Sequence, residues 1–236
     1  MDFNSLVIIT TSLSNDTISE KRRINLINNF SKYNINIHFL CREKSKDKNH
    51  RKINFNSLLE RLMICKKLSY DYCLVIDDDF YPIDNFLFEL NEVIKIIPNN
   101  WIGIHLCAGF LWGRKYKDKT KIGELNTEKT KSIHKLTYDE TGKIFINNDP
   151  LIYKSMRGWL GGPICFLINN TKENINNLIT DYISYEKTQM NNDVILTNML
   201  NKNIYVCRDK QLGYEEECGG RTYHKKIKQL PPFCPS

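Results

Sequence analysis

Hydrophobic positions along the chain fall into two kinds of run, one short and continuous, the other spaced at three and four residues. Leu6 to Thr11 is a short apolar, β-branched run closing on small polar residues, the form of a buried parallel strand with a ligand-facing carboxyl end. Thr17-x-x-Glu20 has the form of a capping box and opens a predicted helix whose apolar positions Ile24, Ile27, Phe30 and Tyr33 recur at helical spacing. A second strand is predicted over Asn36 to Cys41, followed by a charged surface loop from Arg42 to Lys52. Ser57-x-x-Glu60 repeats the capping-box pattern ahead of Leu58, Leu59, Leu62, Cys65 and Leu68, and Tyr72 to Ile76 forms a third strand that ends in acids.

Asp84 is placed to cap a third helix with Leu87, Leu90, Val93 or Ile94, and Ile97 on one side, stopping at Pro98. Trp101 to Leu106 reads as another strand. From Gly113 to Asp149 the chain is polar and lysine-rich, with one alternating patch at Lys143 to Asn147, and predicts either a moving lid or a small hairpin excursion. Irregular stretches of this length in a compact domain tend to carry function. Gly161-Gly162-Pro163 leads into a strand at Ile164 to Ile168. A helix from Thr171 follows, with Ile175, Leu178, Ile179, Tyr182 and Ile183 inward, then a short helix from Asn192 and a last strand at Ile204 to Cys207. Strands alternating with amphipathic helices predict an α/β domain on an open, mainly parallel sheet flanked by helices. With no internal repeat or low-complexity linker, one domain is expected over residues 1–224, followed by a basic, proline-rich tail at 225–236.

Composition narrows the function. A chain of 236 residues that is 41% hydrophobic can bury a sizeable core. Its formal charge of +7 is spread among acids rather than gathered in tracts, and such mild basicity suits a polyanionic ligand such as a nucleotide diphosphate as well as it suits nucleic acid. No helix-turn-helix, zinc-finger or aromatic RNA-binding signature is present, so nucleic acid is not an expected partner. The eight cysteines form no CxxC pair and several lie inside apolar runs, where a free thiol behaves as a small core hydrophobe in a reducing compartment. Asp2 stands where a signal peptide needs positive charge, and no stretch approaches the roughly 18 to 20 apolar residues of a membrane span.

The third strand ends in Asp77-Asp78-Asp79-Phe80, placing carboxylates at the carboxyl edge of a sheet, where open α/β sheets bind ligands. Mg²⁺ and Mn²⁺ take hard oxygen ligands and leave positions for substrate phosphates, so one or two carboxylates at DxD spacing can hold a metal that bridges a diphosphate. Two rival chemistries fit less well. Phosphatases of the haloacid dehalogenase type want a small hydroxyl or β-branched residue at the fourth place after the nucleophile, where Tyr81 stands, and a calcium loop of EF-hand type needs Gly where Pro82 stands.

The order of motifs resembles glycosyltransferases of the GT-A fold, most closely the lipopolysaccharide and procollagen galactosyltransferase type. The matching segments are a first strand followed by a helix bearing Arg22 and Arg23, Asn56-Ser57-Leu58-Leu59 ahead of the acidic strand, Trp101-Ile102-Gly103-Ile104-His105-Leu106, the Gly-led strand and helix from Gly162 to Leu178, and Asn192-Asp193-Val194-Ile195-Leu196. Asp77 replaces the family's usual Glu, and Leu58 stands where a His commonly follows the helical Ser, which leaves the sugar open.

The resemblance implies a nucleotide-sugar donor, UDP-linked, a glycan or protein hydroxyl as acceptor, Mn²⁺ or Mg²⁺ as cofactor, and an inverting transfer. It puts Thr10, Thr11 and Ser12 near base and ribose, with Arg22 and Asp78 also on the nucleotide side. It puts Asp77 toward ribose or sugar, and Asp79 on the metal with Asp77 and His224 as further ligands. Asp193 is either a first-turn acid favoured by the helix dipole or the general base for the acceptor. Glu186 and Glu215 stand next in line for that role. Thr10 to Ser12 equally fit an ordinary strand end. His105 reads as a satisfied core histidine, Trp159 with Gly161-Gly162 as either a loop against sugar or a plain turn, and the segment from Gly219 to Lys226 as either a phosphate contact or a solvated tail. Most enzymes of secretory compartments in this class carry a membrane anchor, so its absence points to the cytosol or to a virus or bacterium, with the cytoplasm, the host's if the source is viral, as the expected location. The competing readings are a nucleotidyltransferase or phosphatase on a similar sheet, and a carbohydrate-binding module without turnover.

Overall fold

The computed structural model describes residues 5–97, 99–106, 110–112, 152–153, 159–161, 165–188, 190–192, 195–196, 199, 203–207 and 212–215. The predicted lid at 113–149, Asp193, His224 and the tail at 225–236 lie outside the described residues.

Three strands, β1 (Leu6–Leu13), β2 (Asn36–Arg42) and β3 (Tyr72–Ile76), pair in parallel around β1. β9 (Cys165–Asn169) runs antiparallel between β3 and β5 (Gly103–His105), while β10 (Ile204–Cys207) is parallel to β5 and antiparallel to the edge strand β7 (Ile152–Tyr153). Among the described residues the main sheet therefore has the order β2-β1-β3-β9-β5-β10-β7. The expected α/β class with an open sheet and flanking helices is what is found. Five of the seven strands share one direction, but the inserted β9 and the edge β7 make three of the six pairings antiparallel. A continuous apolar run such as Cys165-Phe166-Leu167-Ile168 fits a strand buried on both faces in either direction, so its sense was not legible.

Alternation along the strands sorts the core into two layers. Val7 and Ile9, Cys73 and Val75, Phe166 and Ile168 face α2 (His50–Lys67) and α4 (Lys172–Ser184). Leu6 and Ile8, Leu74 and Ile76, Leu167 and Ile104 face α1 (Thr17–Ser31) and α3 (Phe86–Ile96). Each fully buried side chain of this size contributes roughly 1.5–3 kcal/mol.

The helices depart from the sequence expectation in ways that bear on the site. α1 is capped by Asp16, whose carboxylate accepts from the backbone N–H groups of Ile18 and Ser19, so the predicted Thr17 capping box is one residue out. Its expected inward residues Ile24 and Ile27 are 49% and 45% exposed, and the buried face is Ser19, Arg22, Leu26 and Phe30. Leaving two isoleucines half-exposed forgoes roughly 1.5–3 kcal/mol in total, less than the roughly 3–5 kcal/mol that stranding a buried charge costs. The acids at the end of β3 thus decide the rotation of the helix.

α2 begins at His50 under an Asn49 cap, inside the segment expected to be loop. Ser57 and Glu60 are mid-helix and do not cap it. Glu60 instead pairs with Arg42, and Ser57 with Thr11. α3 follows Asn85 rather than Asp84, and no side chain caps it. α4 begins after its expected cap, Thr171, and buries Ile175, Leu178, Ile179 and Tyr182 as expected, but Ile183 is 44% exposed.

Candidate functional site

The acids sit in a tight turn leaving β3. The Phe80 N–H bonds back to the Asp77 carbonyl, and the Phe80 ring then plugs into the core against Phe30 of α1 and Phe86 of α3. A short strand, β4 (Phe80–Pro82), pairs antiparallel with β11 (Gly213–Glu215), and Leu212 joins this ribbon to Leu106 at the end of β5. The turn is thereby held from below by an aromatic cluster and from the side by backbone pairing. Sequence alone gave no sign of this ribbon, because three-residue strands carry too little periodicity to read.

Two arginines grip the turn from opposite faces of the sheet. From α1, Arg22 places Nη1 3.0 Å from Asp78 Oδ1 and Nη2 3.1 Å from Asp79 Oδ2. One turn earlier on the same helix, the Ser19 hydroxyl donates to Asp78 Oδ2 at 3.2 Å and accepts from the Leu13 N–H at the end of β1. From α2, Arg61 donates through Nη1 to the Ile76 carbonyl at 2.7 Å and to Asp77 Oδ1 at 3.1 Å. The arginines are 7% and 3% exposed, and guanidinium groups this buried are tolerated because they are paired. Among the described residues, two guanidiniums are paired with the three carboxylates of the turn.

β1 contributes its carboxyl end to the same edge. Thr11 is half-buried on the α2 face, with its hydroxyl 3.1 Å from that of Ser57. Thr10 and Ser12 lie on the other face at 0% and 2% exposure, and the Thr10 hydroxyl has no hydrogen-bond partner among the described residues. Of the three hydroxyls expected near a nucleotide, Thr11 is the one that reaches accessible space. Arg22, Asp78 and Asp79 are brought together directly, while Asp77 belongs to the Arg61 side. Ser19 and Arg61 were missed in the sequence. Their signal was positional: Arg61 interrupts the inward stripe Phe55, Leu58, Leu62 and Cys65, and a charge on such a stripe implies a buried partner.

The donor set bears on a metal. Among the described residues no group of three or more His, Cys, Asp or Glu side chains is placed to hold an ion. A protein cage for Zn²⁺ or Ca²⁺ has no support there, but Mg²⁺ and Mn²⁺ need only one or two carboxylates when a diphosphate and waters fill the other positions. The all-oxygen, acidic character of the turn fits that use.

No protein family and no curated protein sequence matches the chain. Among solved structures, it is similar to a glycosyltransferase involved in the glycosylation of the major capsid of PBCV-1, at 15% identity and a TM-score of 0.36 over 46% of this chain and 53% of that one. The match thus spans about half of that enzyme. It is also similar to mouse xyloside xylosyltransferase 1, at 9% identity and a TM-score of 0.42 over 90% of this chain and 98% of that one. At scores this low neither likeness bears on the chemistry, which rests on the residues themselves.

The remaining candidates fall elsewhere. Asn192 immediately precedes Asp193. It is buried, accepts from the Tyr182 hydroxyl at 2.7 Å and donates to the Asn54 carbonyl at 2.9 Å, tying this segment to both α4 and α2. Burial raises the Tyr182 phenol well above its ordinary pKa and keeps it a donor. Glu186 is exposed in a 3-10 turn at Glu186–Thr188, and Glu215 lies on β11. Trp159 and Gly161 are in neither a loop nor a turn: they belong to β8 (Trp159–Gly161), which pairs antiparallel with β6 (Phe110–Trp112), Trp159 opposite Trp112. His105 ends β5, two strands from β3, where burial lowers its pKa to about 4 and keeps it neutral; its Nδ1 has no partner among the described residues. No helix among the described residues is long and apolar enough to cross a membrane.

Proposed function

We propose that this chain is a metal-dependent glycosyltransferase of the GT-A type, moving a sugar from a nucleotide diphosphate sugar, UDP-linked, to a glycan or protein hydroxyl with inversion. The observation that carries the reading is the acidic turn at the carboxyl end of β3, its three carboxylates fixed by Arg22 and Arg61 beside the hydroxyl end of β1. Carboxylates already oriented by buried guanidiniums need little reorganisation when they take up a ligand.

In this reading Asp79 and Asp77 hold Mn²⁺ or Mg²⁺, with His224 as a further ligand. When bound, the metal neutralises charge on the diphosphate and makes it a better leaving group. Thr11 lies within reach of base or ribose. Asp193 takes the proton from the acceptor hydroxyl, a poor nucleophile at neutral pH without a base in hydrogen-bond reach. Incubation with Mn²⁺ and a panel of nucleotide sugars, followed by chromatography of the nucleotide products, tests the proposal. Slow release of nucleoside diphosphate from one donor is expected. Release of pyrophosphate or inorganic phosphate would move the chain to the nucleotidyltransferases or phosphatases, and glycan binding with no nucleotide turnover would make it a binding module.

A further inference from the structure

A cleft of about 220 Å³ opens between the first turns of α2 and the segment that follows α4. Arg51 and Asn56 line it from α2, Tyr185, Glu186 and Met190 from the other side, and the buried Phe55 lies between them. Behind Phe55 the two sides are tied together. Tyr182 of α4 stacks on Phe55 with ring centroids 4.6 Å apart, and its hydroxyl donates to Asn192 Oδ1 at 2.7 Å. Asn192, 8% exposed, in turn donates through Nδ2 to the Asn54 carbonyl of α2 at 2.9 Å. A buried amide with both its oxygen and its nitrogen engaged rigidifies what surrounds it, so the cleft has its shape before a ligand arrives.

The cleft adjoins the edge where the donor is placed. Asn56 precedes Ser57, whose hydroxyl meets that of Thr11 at the carboxyl end of β1, and Arg51 lies six residues before Ser57, about 9 Å along the helix axis. Its lining matches a sugar ring. Tyr185 is a half-buried aromatic side chain, against which the C–H face of a pyranose packs. The Asn56 amide, the Arg51 guanidinium and the Glu186 carboxylate are planar polar groups suited to adjacent hydroxyls, and among the described residues none of the three is engaged by another side chain. The volume is below the roughly 300–1,000 Å³ of pockets for drug-sized ligands, which fits a single ring.

We propose that this cleft is the acceptor subsite and that it takes a pyranose ring, so that the acceptor is a glycan rather than a protein hydroxyl. Calling the ring an acceptor rests on the proposed function; binding of the ring requires neither donor nor metal.

Saturation-transfer difference NMR with a mixture of methyl glucoside, galactoside, mannoside and xyloside tests this on metal-free wild type, Tyr185→Ala, Tyr185→Phe and Arg51→Ala. At least one glycoside is expected to receive saturation from the wild type. Tyr185→Ala is expected to weaken its binding about 10-fold, while Tyr185→Phe, which keeps the ring, changes it little. Arg51→Ala removes an exposed side chain without touching the core and should weaken binding by about 3- to 10-fold, the loss of one hydrogen bond. Calorimetry of UDP with Mn²⁺ should give one affinity for wild type, Tyr185→Ala and Arg51→Ala. Silence of every glycoside, or equal binding by wild type, Tyr185→Ala and Arg51→Ala, would overturn the subsite. A fall in UDP affinity in those two variants would give the cleft to the nucleotide and overturn it as well. Glycoside binding lost in Tyr185→Ala, with no turnover of any nucleotide sugar by the wild type, would support the ring site and overturn the proposed function.

Discussion

Arg61 holds Asp77 by a single nitrogen that also caps the carbonyl of Ile76, the last residue of β3. One buried group therefore both closes the end of the strand and orients the first acid of the turn. Replacing Arg61 by Met roughly keeps the volume but removes a donor to the Ile76 carbonyl and a contact of Asp77. Because Asp77 is about one-third exposed, water takes up part of its loss, and the expected cost is about 1–3 kcal/mol rather than the larger cost of a fully buried broken pair. Urea unfolding of Arg61→Met measures it, and an unchanged midpoint would show the contact to be energetically idle.

His105 predicts a pH dependence. Burial lowers its folded pKa to about 4 from an ordinary 6.5, so between those values the unfolded chain binds the proton that the folded chain refuses. The sign follows: this contribution is fully present above about pH 6.5 and is lost as pH falls toward 4, an amount of order 3 kcal/mol. His105→Gln should flatten the decline of stability with acidification in that window, whatever it does to stability at pH 7. Parallel curves for the variant and the wild type would assign the acid sensitivity to other groups.

Much of the sheet was legible because buried strands are continuous apolar runs, and the acids were legible because they follow one. Leu6 to Thr11, Asn36 to Cys41 and Tyr72 to Ile76 lie where the pattern put them, each within a residue or two. What hydrophobicity could not show was which way the helices turn. α1 presents Ser19 and Arg22 to the sheet and leaves Ile24 and Ile27 in water, because charge pairing at the turn outweighs two half-buried isoleucines. The capping boxes misled for a related reason. Ser57 and Glu60 have the right spacing, but each bonds across the fold, to Thr11 and Arg42, instead of along the helix. Arg22 was picked out by resemblance, and the structure gives it a task that resemblance did not, as the fork between Asp78 and Asp79.

Gly103 is needed for packing. A Cβ built there would lie 2.4 Å from the tip of the fully buried Phe166 ring on β9, so the ring would have to shift. Gly103→Ala should destabilise by about 1–3 kcal/mol, the usual cost of overpacking a filled core. The double variant Gly103→Ala with Phe166→Leu should recover part of that loss in the same unfolding assay. A double variant no more stable than the sum of the singles predicts would mean that the clash is not the cause.

For Asp193, the base proposal predicts a specific kinetic pattern. Asp193→Asn should lower turnover by about 10²- to 10⁴-fold with donor binding nearly unchanged, that being the usual contribution of a positioned base. Steady-state kinetics with separate donor and acceptor titrations checks it. A loss of only a few-fold, or a product that keeps the donor's anomeric configuration, would remove the role.

The central claim is that the acidic turn binds a nucleotide diphosphate through a metal. Titration calorimetry of UDP into the protein, with and without Mn²⁺, tests it most directly, with Asp79→Ala as the paired variant. The account predicts binding that requires Mn²⁺ in the wild type and is lost in Asp79→Ala even when the metal is present. Equal UDP affinity with and without Mn²⁺ in the wild type would contradict it.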